Sequence, residues 1–290
     1  MADIDYVAPT SADDAVRALA AAGGAGKVLS GGTDLLIQLR GGRQRPSVIV
    51  DLKRIPGAIG VRQEAGGFVI GAATSGAQLG EHAALVQAWP GVVEAVNLIG
   101  STQVQGRASL AGNLCNASPA ADSVPAMFAA RAVCVIIGPS GRREAGVEAI
   151  VLGPGRTSLA PDEFVLEFRL PPRPPRSADA YLRLIPRTEM DIAVAGAGVD
   201  LTLDAGGLIT DARVALGAVA PTVILVEAAQ AALAGSTLDA AALERLDAAA
   251  QAVCRPISDK RGTVEYRTRI AGVLARRAAV IAYQRARERS

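Results

Sequence analysis

The chain has 290 residues, half of them hydrophobic, with only 3% aromatic side chains and a formal net charge of +2. That length and apolar content support a sizeable core spread over two or three lobes. Balanced charge and scarce rings exclude the basic stripe and stacking platforms of a nucleic-acid binder. The opening stretch MADIDYVAPTSADDAV carries acids rather than a basic start followed by an apolar run, and no segment reaches about eighteen uninterrupted apolar residues, so a cytoplasmic chain without a transmembrane segment is expected. Cys115, Cys134 and Cys254 are far apart and unaccompanied by histidine, since His82 is the only one. This pattern fits neither a disulfide framework, a zinc site nor a full iron–sulfur ligand set, so no metal is expected here. His82 reads as a surface helix residue.

In chain order, Thr10 and Asp13 resemble a capping box ahead of a helix whose apolar stripe is Ala15, Val16, Leu19 and Ala20. Glycines at 23, 24 and 26 end it. KVLS then reads as a strand, residues 34–40 as a helix and SVIVDL as another strand, which makes a β-α-β lobe over residues 1–54. Strands GGFVIGAAT and RAVCVIIG follow, with helices around 76–88, 91–99 and 123–130. Residues 100–123 have no clean period and read as a long binding loop. DEFVLEFRL alternates as a strand, and the four prolines of PPRPPRS suit a semi-rigid connector. Beyond it, Asp204 to Gly207 form a turn between two strands, a third strand precedes them, and the rest is helix whose arginines read most simply as a solvated face, with a partner-docking face as the alternative.

The chemistry sits in two stretches of small residues. LSGGTDLL matches neither the Walker spacing nor the Rossmann fingerprint, but Gly31 and Gly32 permit a turn whose backbone N–H groups face one way and approach a diphosphate closely. A helix beginning near Asp34 adds the positive end of its dipole, with the Asp34 carboxylate accepting backbone N–H bonds and pointing away from the phosphates. ASLAGNLCNASPAADSVPAM supplies Ser109, Gly112 and Asn113, then Asp122 as an acceptor. Two such segments suit one extended ligand, although each also reads as a self-satisfied loop.

Together, KVLSGGTDLL and QVQGRASLAGNLCNASPAADSVPAM resemble the FAD-binding medium subunit of the molybdenum hydroxylases, the family of xanthine dehydrogenase and aerobic carbon monoxide dehydrogenase. PDEFVLEFRLP, RLIPRTEMDIAVAGAGV and SDKRGTVEYRTRIAGVLARRA continue the resemblance in order, over nearly the whole chain. It implies an α+β fold: a PCMH-type FAD-binding region of two subdomains (1–54 and 55–175), then a C-terminal domain (176–290) with a small antiparallel sheet and helices. It implies noncovalent FAD, with Lys27, Val28, Leu29, Ser30, Gly31, Gly32, Thr33, Asp34 and Leu35 at the diphosphate turn. Ser109, Leu110, Ala111, Gly112 and Asn113 would form the second set of contacts, with Asp122 as a hydrogen-bonding acid. Ile99 and Val165 fall at apolar positions against the rings, and Arg183 where many relatives have lysine. The implied function is an electron-transfer flavoprotein subunit without catalytic acid–base residues. A large molybdenum cofactor subunit and a small iron–sulfur subunit would complete a dimer of heterotrimers. Ala111 stands where many relatives have glycine, so this loop is expected to keep negative φ or to shift. A stand-alone flavin oxidoreductase and a noncatalytic scaffold are the rival readings. The first requires its own substrate pocket and the second no cofactor.

Overall fold

The computed structural model describes residues 4–289; residues 1–3 and 290, the outer ends of the expected first and last domains, lie outside the described residues. A three-stranded parallel sheet opens the chain in the order β1 (Asp5–Val7), β3 (Val48–Asp51), β2 (Gly26–Leu29). Helix α1 (Ala12–Ala21) joins β1 to β2, and α2 (Leu35–Arg40) joins β2 to β3. The cap of α1 lies one residue later than the sequence suggests: Ser11, in extended conformation, accepts from Asp14 N. Ala15, Val16 and Leu19 are buried, but Ala20 is exposed, because the stripe turns away at the end of a ten-residue helix.

An antiparallel sheet follows in the order β4 (Val61–Glu64), β5 (Gly67–Gly71), β10 (Phe164–Leu170), β6 (Val133–Gly138), β7 (Gly141–Gly146). Strand β10 is central, so most of its side chains are buried and the half-buried alternation expected of it is absent. Phe164 and Leu166 pack with α1 and β3, whereas Phe168 and Leu170 join the core on the other face. Between β5 and β6 run α3 (Gly76–Glu81), α4 (Ala83–Ala88), α5 (Pro90–Val96), α6 (Thr102–Gln105), α7 (Leu110–Cys115) and α8 (Ser123–Ala129). The helix expected over 76–88 is therefore broken. His82 terminates α3 and caps α4, its Nδ1 accepting from Leu85 N at 3.2 Å. Residues 100–123 are not structureless either: they hold α6 and α7, too short to display a period. A small hairpin, β8 (Val151–Gly153) and β9 (Arg156–Thr157), precedes β10.

The last sheet is antiparallel: β11 (Ser177–Leu184), β12 (Ala195–Leu203), β13 (Ile209–Gly217) and β14 (Ile224–Leu225). The β12–β13 turn forms as its residues suggest, with Asp204 Oδ1 accepting from Gly206 N and Leu208 N, each at 2.8 Å. Helices α9 (Ala229–Leu233), α10 (Ala240–Val253) and α11 (Val264–Arg287) cover one face. The arginines of α11 are not simply a solvated face. Arg267 is buried, donates to Val194 O and pairs with Asp259, while Arg285 pairs with Glu94 on α5.

The proline-rich segment 171–176 does more than connect. Its Arg173 lies 3.6 Å over the Trp89 ring and pairs with Asp179 at 2.9 Å and Asp200 at 2.7 Å, pinning the last sheet to α5. Burial raises the carboxyls of both acids against the pull of Arg173, that of Asp200 to about 6.

Candidate cofactor-binding site

A cleft of about 570 Å³ opens between the C-terminal end of β2, helix α7 and the segment from Gly155 to Val165. It lies at the carboxyl end of the parallel strands, where loops leaving a sheet are free to diverge. Lys27, Val28, Ser30, Gly31, Gly32, Thr33, Asp34 and Leu35 form one wall, and Ala111 and Gly112 part of another, with Val165 behind them. The two stretches separated by about eighty residues in sequence are thus brought together.

The turn after β2 has the geometry its glycines suggest. Gly32 has φ of +81°, and a Cβ there would lie 2.8 Å from Leu29 Cδ1. Gly31 serves a different purpose: an added Cβ would sit 2.1 Å from Arg107 O, so this glycine lets the loop before α7 approach. The backbone N–H groups of residues 31–35 donate to no acceptor among the described residues, nor do those of Leu110 and Ala111. The donors of residues 31–35 and of Ala111, on two segments that line the cleft, are therefore free for an anionic partner. Ala111 takes negative φ within α7, so its methyl strains nothing.

Two serines join the jaws. Ser30 Oγ donates to Ala72 O at 2.9 Å, leaving its lone pairs to accept from Ser109 Oγ at 2.6 Å, and Ser109 Oγ in turn accepts from Gly112 N. Ser109 and Leu110 lie behind the cleft rather than in its wall, and Leu29 supports Gly32 from below. Asn113 Oδ1 is occupied by Ser123 N and Ser123 Oγ, fastening α8 to α7.

Asp34 behaves otherwise than its place in the sequence suggests. Its backbone is already helical, with φ of −90° and ψ of −46°, and its carboxylate makes no capping bond. The extended backbone that a capping side chain requires is absent. The side chain is exposed at the cleft instead. Helix α2, moreover, has six residues, too few for a large dipole.

Asp122 and Arg183 stand together away from this cleft. Arg183 Nη1 is 2.6 Å from Asp122 Oδ2, and Tyr181 Oη donates to Asp122 Oδ1 at 3.2 Å. Burial raises the Asp122 carboxyl to about 6, more than Arg183 and Tyr181 lower it. Ile99 follows α5 and packs against the middle core. These three residues are not in the wall of the cleft, and the pairing of an acid from the second segment with a β11 arginine was invisible in the sequence.

Other residues escaped sequence reasoning as well. Lys53 Nζ lies 2.7 Å from Asp51 Oδ1 and donates to Ser30 O at 3.3 Å, while Tyr6 Oη donates to Asp51 Oδ2. Burial would raise the Asp51 carboxyl, but Lys53 and Tyr6 outweigh it and hold it below the usual range. Gln38 Nε2 donates to Asn116 Oδ1 at 2.9 Å, tying α2 to α7 at the cleft. An acid ending a parallel strand, as in VDLKR, was the available signal for the first of these; nothing marked the second.

The chain matches the family described as the FAD binding domain in molybdopterin dehydrogenase over residues 2–173, more than half its length. It matches the CO dehydrogenase flavoprotein C-terminal domain over residues 180–281. The chain belongs to this flavoprotein family. Its first 173 residues are accordingly an FAD-binding region, and the donors on the two segments fit the diphosphate of that cofactor. The chain is 35% identical over 283 residues to the carbon monoxide dehydrogenase medium chain of Afipia carboxidovorans, covering 98% of each. It is 32% identical over 243 residues to the xanthine dehydrogenase FAD-binding subunit of Escherichia coli O157:H7, covering 83% of each. Among solved structures, the reconstituted CO dehydrogenase from Oligotropha carboxidovorans superposes with a TM-score of 0.93 at 34% identity, covering 98% of both chains. The quinoline 2-oxidoreductase of Pseudomonas putida 86 shares the fold, with a TM-score of 0.88 at 24% identity. These flavoproteins are α+β, as the sequence implies, and are subunits of molybdenum-containing oxidoreductases. No helix among the described residues is long and apolar enough to cross a membrane.

Proposed function

We propose that the chain is the FAD-binding electron-transfer subunit of a molybdenum hydroxylase, taking electrons from iron–sulfur centres of a small partner subunit and passing them to an external acceptor. A large partner would carry the molybdenum cofactor, in a cytoplasmic dimer of heterotrimers. The FAD would be noncovalent. The supporting division is 1–54 and 55–175 for the two halves of the FAD site and 176–290 for the C-terminal domain.

The run of free N–H donors at residues 31–35, together with that of Ala111, carries this reading. Bound FAD would supply the redox chemistry; the protein supplies position and electrostatics. Residues 27–35 would hold the diphosphate through backbone rather than charge, and Ser109 to Asn113 would back it from α7. Lys53 and Asp51 keep the Ser30 carbonyl in place, and the Ser30–Ser109 bond sets the gap between the jaws. Val165 offers the cleft an apolar wall, and Ile99, outside that wall, would meet the rings only where they extend beyond it. Asp122, near half-protonated around pH 6, would accept from or donate to the cofactor there, with Arg183 holding its Oδ2.

The assembled protein is expected to contain about one FAD per copy of this chain. The check is flavin absorbance of the purified complex, followed by mass spectrometry of the denatured chain to exclude a covalent link. A folded, fully assembled preparation without flavin would sink the proposal, and reduction of the flavin by a small substrate in the chain alone would favour a stand-alone oxidoreductase.

A further inference from the structure

Helix α2 has the sequence LLIQLR, yet none of its residues is buried. Leu35 and Gln38 line the cleft, whereas Leu36 and Ile37 do not and are 47% and 69% exposed. The strand order explains the side on which this helix lies. The crossover from β1 to β2 passes over β3 and that from β2 to β3 returns, so right-handed connections place α1 and α2 on opposite faces. Val7 and Val28 pack with α1, so Tyr6, between alternating neighbours, points to the α2 side, where it is 59% exposed.

The charge on α2 and the turn behind it has one sign. Residues 35–50 contain Arg40, Arg43 and Arg45 and no aspartate, glutamate or lysine. All three arginines are exposed, Arg43 at the cleft and Arg40 and Arg45 outside its lining. None pairs with an acid among the described residues, although arginines elsewhere, such as Arg17, Arg62 and Arg143, do. Leucine, isoleucine, tyrosine and arginine without lysine or glutamate is the composition of an interface core, not of an ordinary solvated face.

We propose that α2 and the turn behind it dock an acidic, apolar-centred protein face belonging to a partner subunit of the complex. The existence of that complex rests on the function proposed above. Ile37 and its neighbours fill an apolar hollow on the partner, and Arg40 and Arg45 meet carboxylates at its rim, which sets register and speeds encounter.

The test is coexpression of the full chain with the subunits encoded beside it, as wild type and as the double variant Ile37→Glu/Arg40→Glu, neither residue lining the cleft. By analytical ultracentrifugation the variant should assemble about tenfold more weakly or worse. Its isolated chain should keep the far-UV circular dichroism and FAD content of the wild type. The single variant Arg40→Lys, which keeps the charge, should retain most assembly, and higher ionic strength should weaken the wild-type complex more than the double variant. Undiminished assembly of the double variant overturns this interface while leaving the functional reading standing; failure of the wild type to join any partner overturns both. Wild-type binding to phosphatidylserine vesicles that the double variant loses, with subunit assembly intact, would overturn the protein partner and assign the patch to a lipid surface.

Discussion

Helices α2 and α11 show two ways of holding an element in one chain. Helix α11 spans 24 residues and buries nine of them, mostly alanines, against β11 and β12. Helix α2 spans six and buries none. The first is held by apolar area and close packing, so its position tolerates the loss of any one polar contact. The second, with the turn before it, is held by a few polar stitches: Ser30 to Ser109 and Ala72, Gln38 to Asn116, and Lys53 to Ser30. A ligand-gripping turn must leave its backbone donors free, and a sparse, polar mounting is compatible with that where a buried one is not.

This contrast is broken most severely on the scaffold side. At Gly198 an added Cβ would lie 2.5 Å from Pro125 O, a backbone atom of α8, so Gly198→Val should cost about 3 kcal/mol or prevent folding, read from the urea midpoint followed by Trp89 fluorescence. A midpoint within error of the wild type would show that the α8–β12 contact is not tight. On the cleft side, Gly32→Val should leave a folded chain at a cost of about 1–2 kcal/mol, because a β-branched residue is strained at positive φ. That chain should nonetheless lose its flavin, measured as the flavin-to-protein absorbance ratio. Full FAD retention would mean that the turn is not the cradle.

The buried ion cluster sharpens the comparison through pH. Asp200 has a carboxyl raised to about 6, so its protonated form is the one favoured by folding. Its contribution is present in full below the ordinary aspartate range near pH 4 and is lost as pH rises through about 6. The melting temperature of wild type relative to Asp200→Asn should therefore fall between pH 4 and pH 6.5, by the equivalent of about 2 kcal/mol. A difference that is flat or rises over that window would contradict the raised value. The smallest effect is expected at Asp34. Its carboxylate caps nothing, so Asp34→Asn should change stability by less than about 0.5 kcal/mol and largely retain FAD by equilibrium titration. Loss of FAD equal to that of Gly32→Val would make the carboxylate a ligand.

Much of the fold was legible where a residue's own backbone preference agrees with its surroundings. The alternating strands of the last sheet and the Asp204 turn read directly, because hairpin partners are close in sequence. The helices within 100–123 did not, since four and six residues cannot display a 3.6-residue period. Within the candidate site, Gly31 and Gly32 could be read as a pair, yet their separate purposes could not. Gly32 takes a conformation that only its own φ requires, and Gly31 yields room to Arg107, which is 76 positions away. The Asp34 cap failed for a related reason: the helical turn already begins at Gly32, whose carbonyl accepts from Leu36 N, so Asp34 lies inside it with helical backbone.

By itself the sequence determined the class of the protein and its small-residue turns, because these follow from residue chemistry and local spacing. Only the tertiary structure decided which polar atoms are left free and which are consumed. Among the described residues, the N–H groups of residues 31–35 and of Ala111 at the cleft remain without an acceptor, while Asn113, Asp122 and Arg173 spend their hydrogen bonds on other parts of the chain. That allocation depends on which groups meet at about 3 Å, and the chain brings such groups together from up to a hundred or more residues apart.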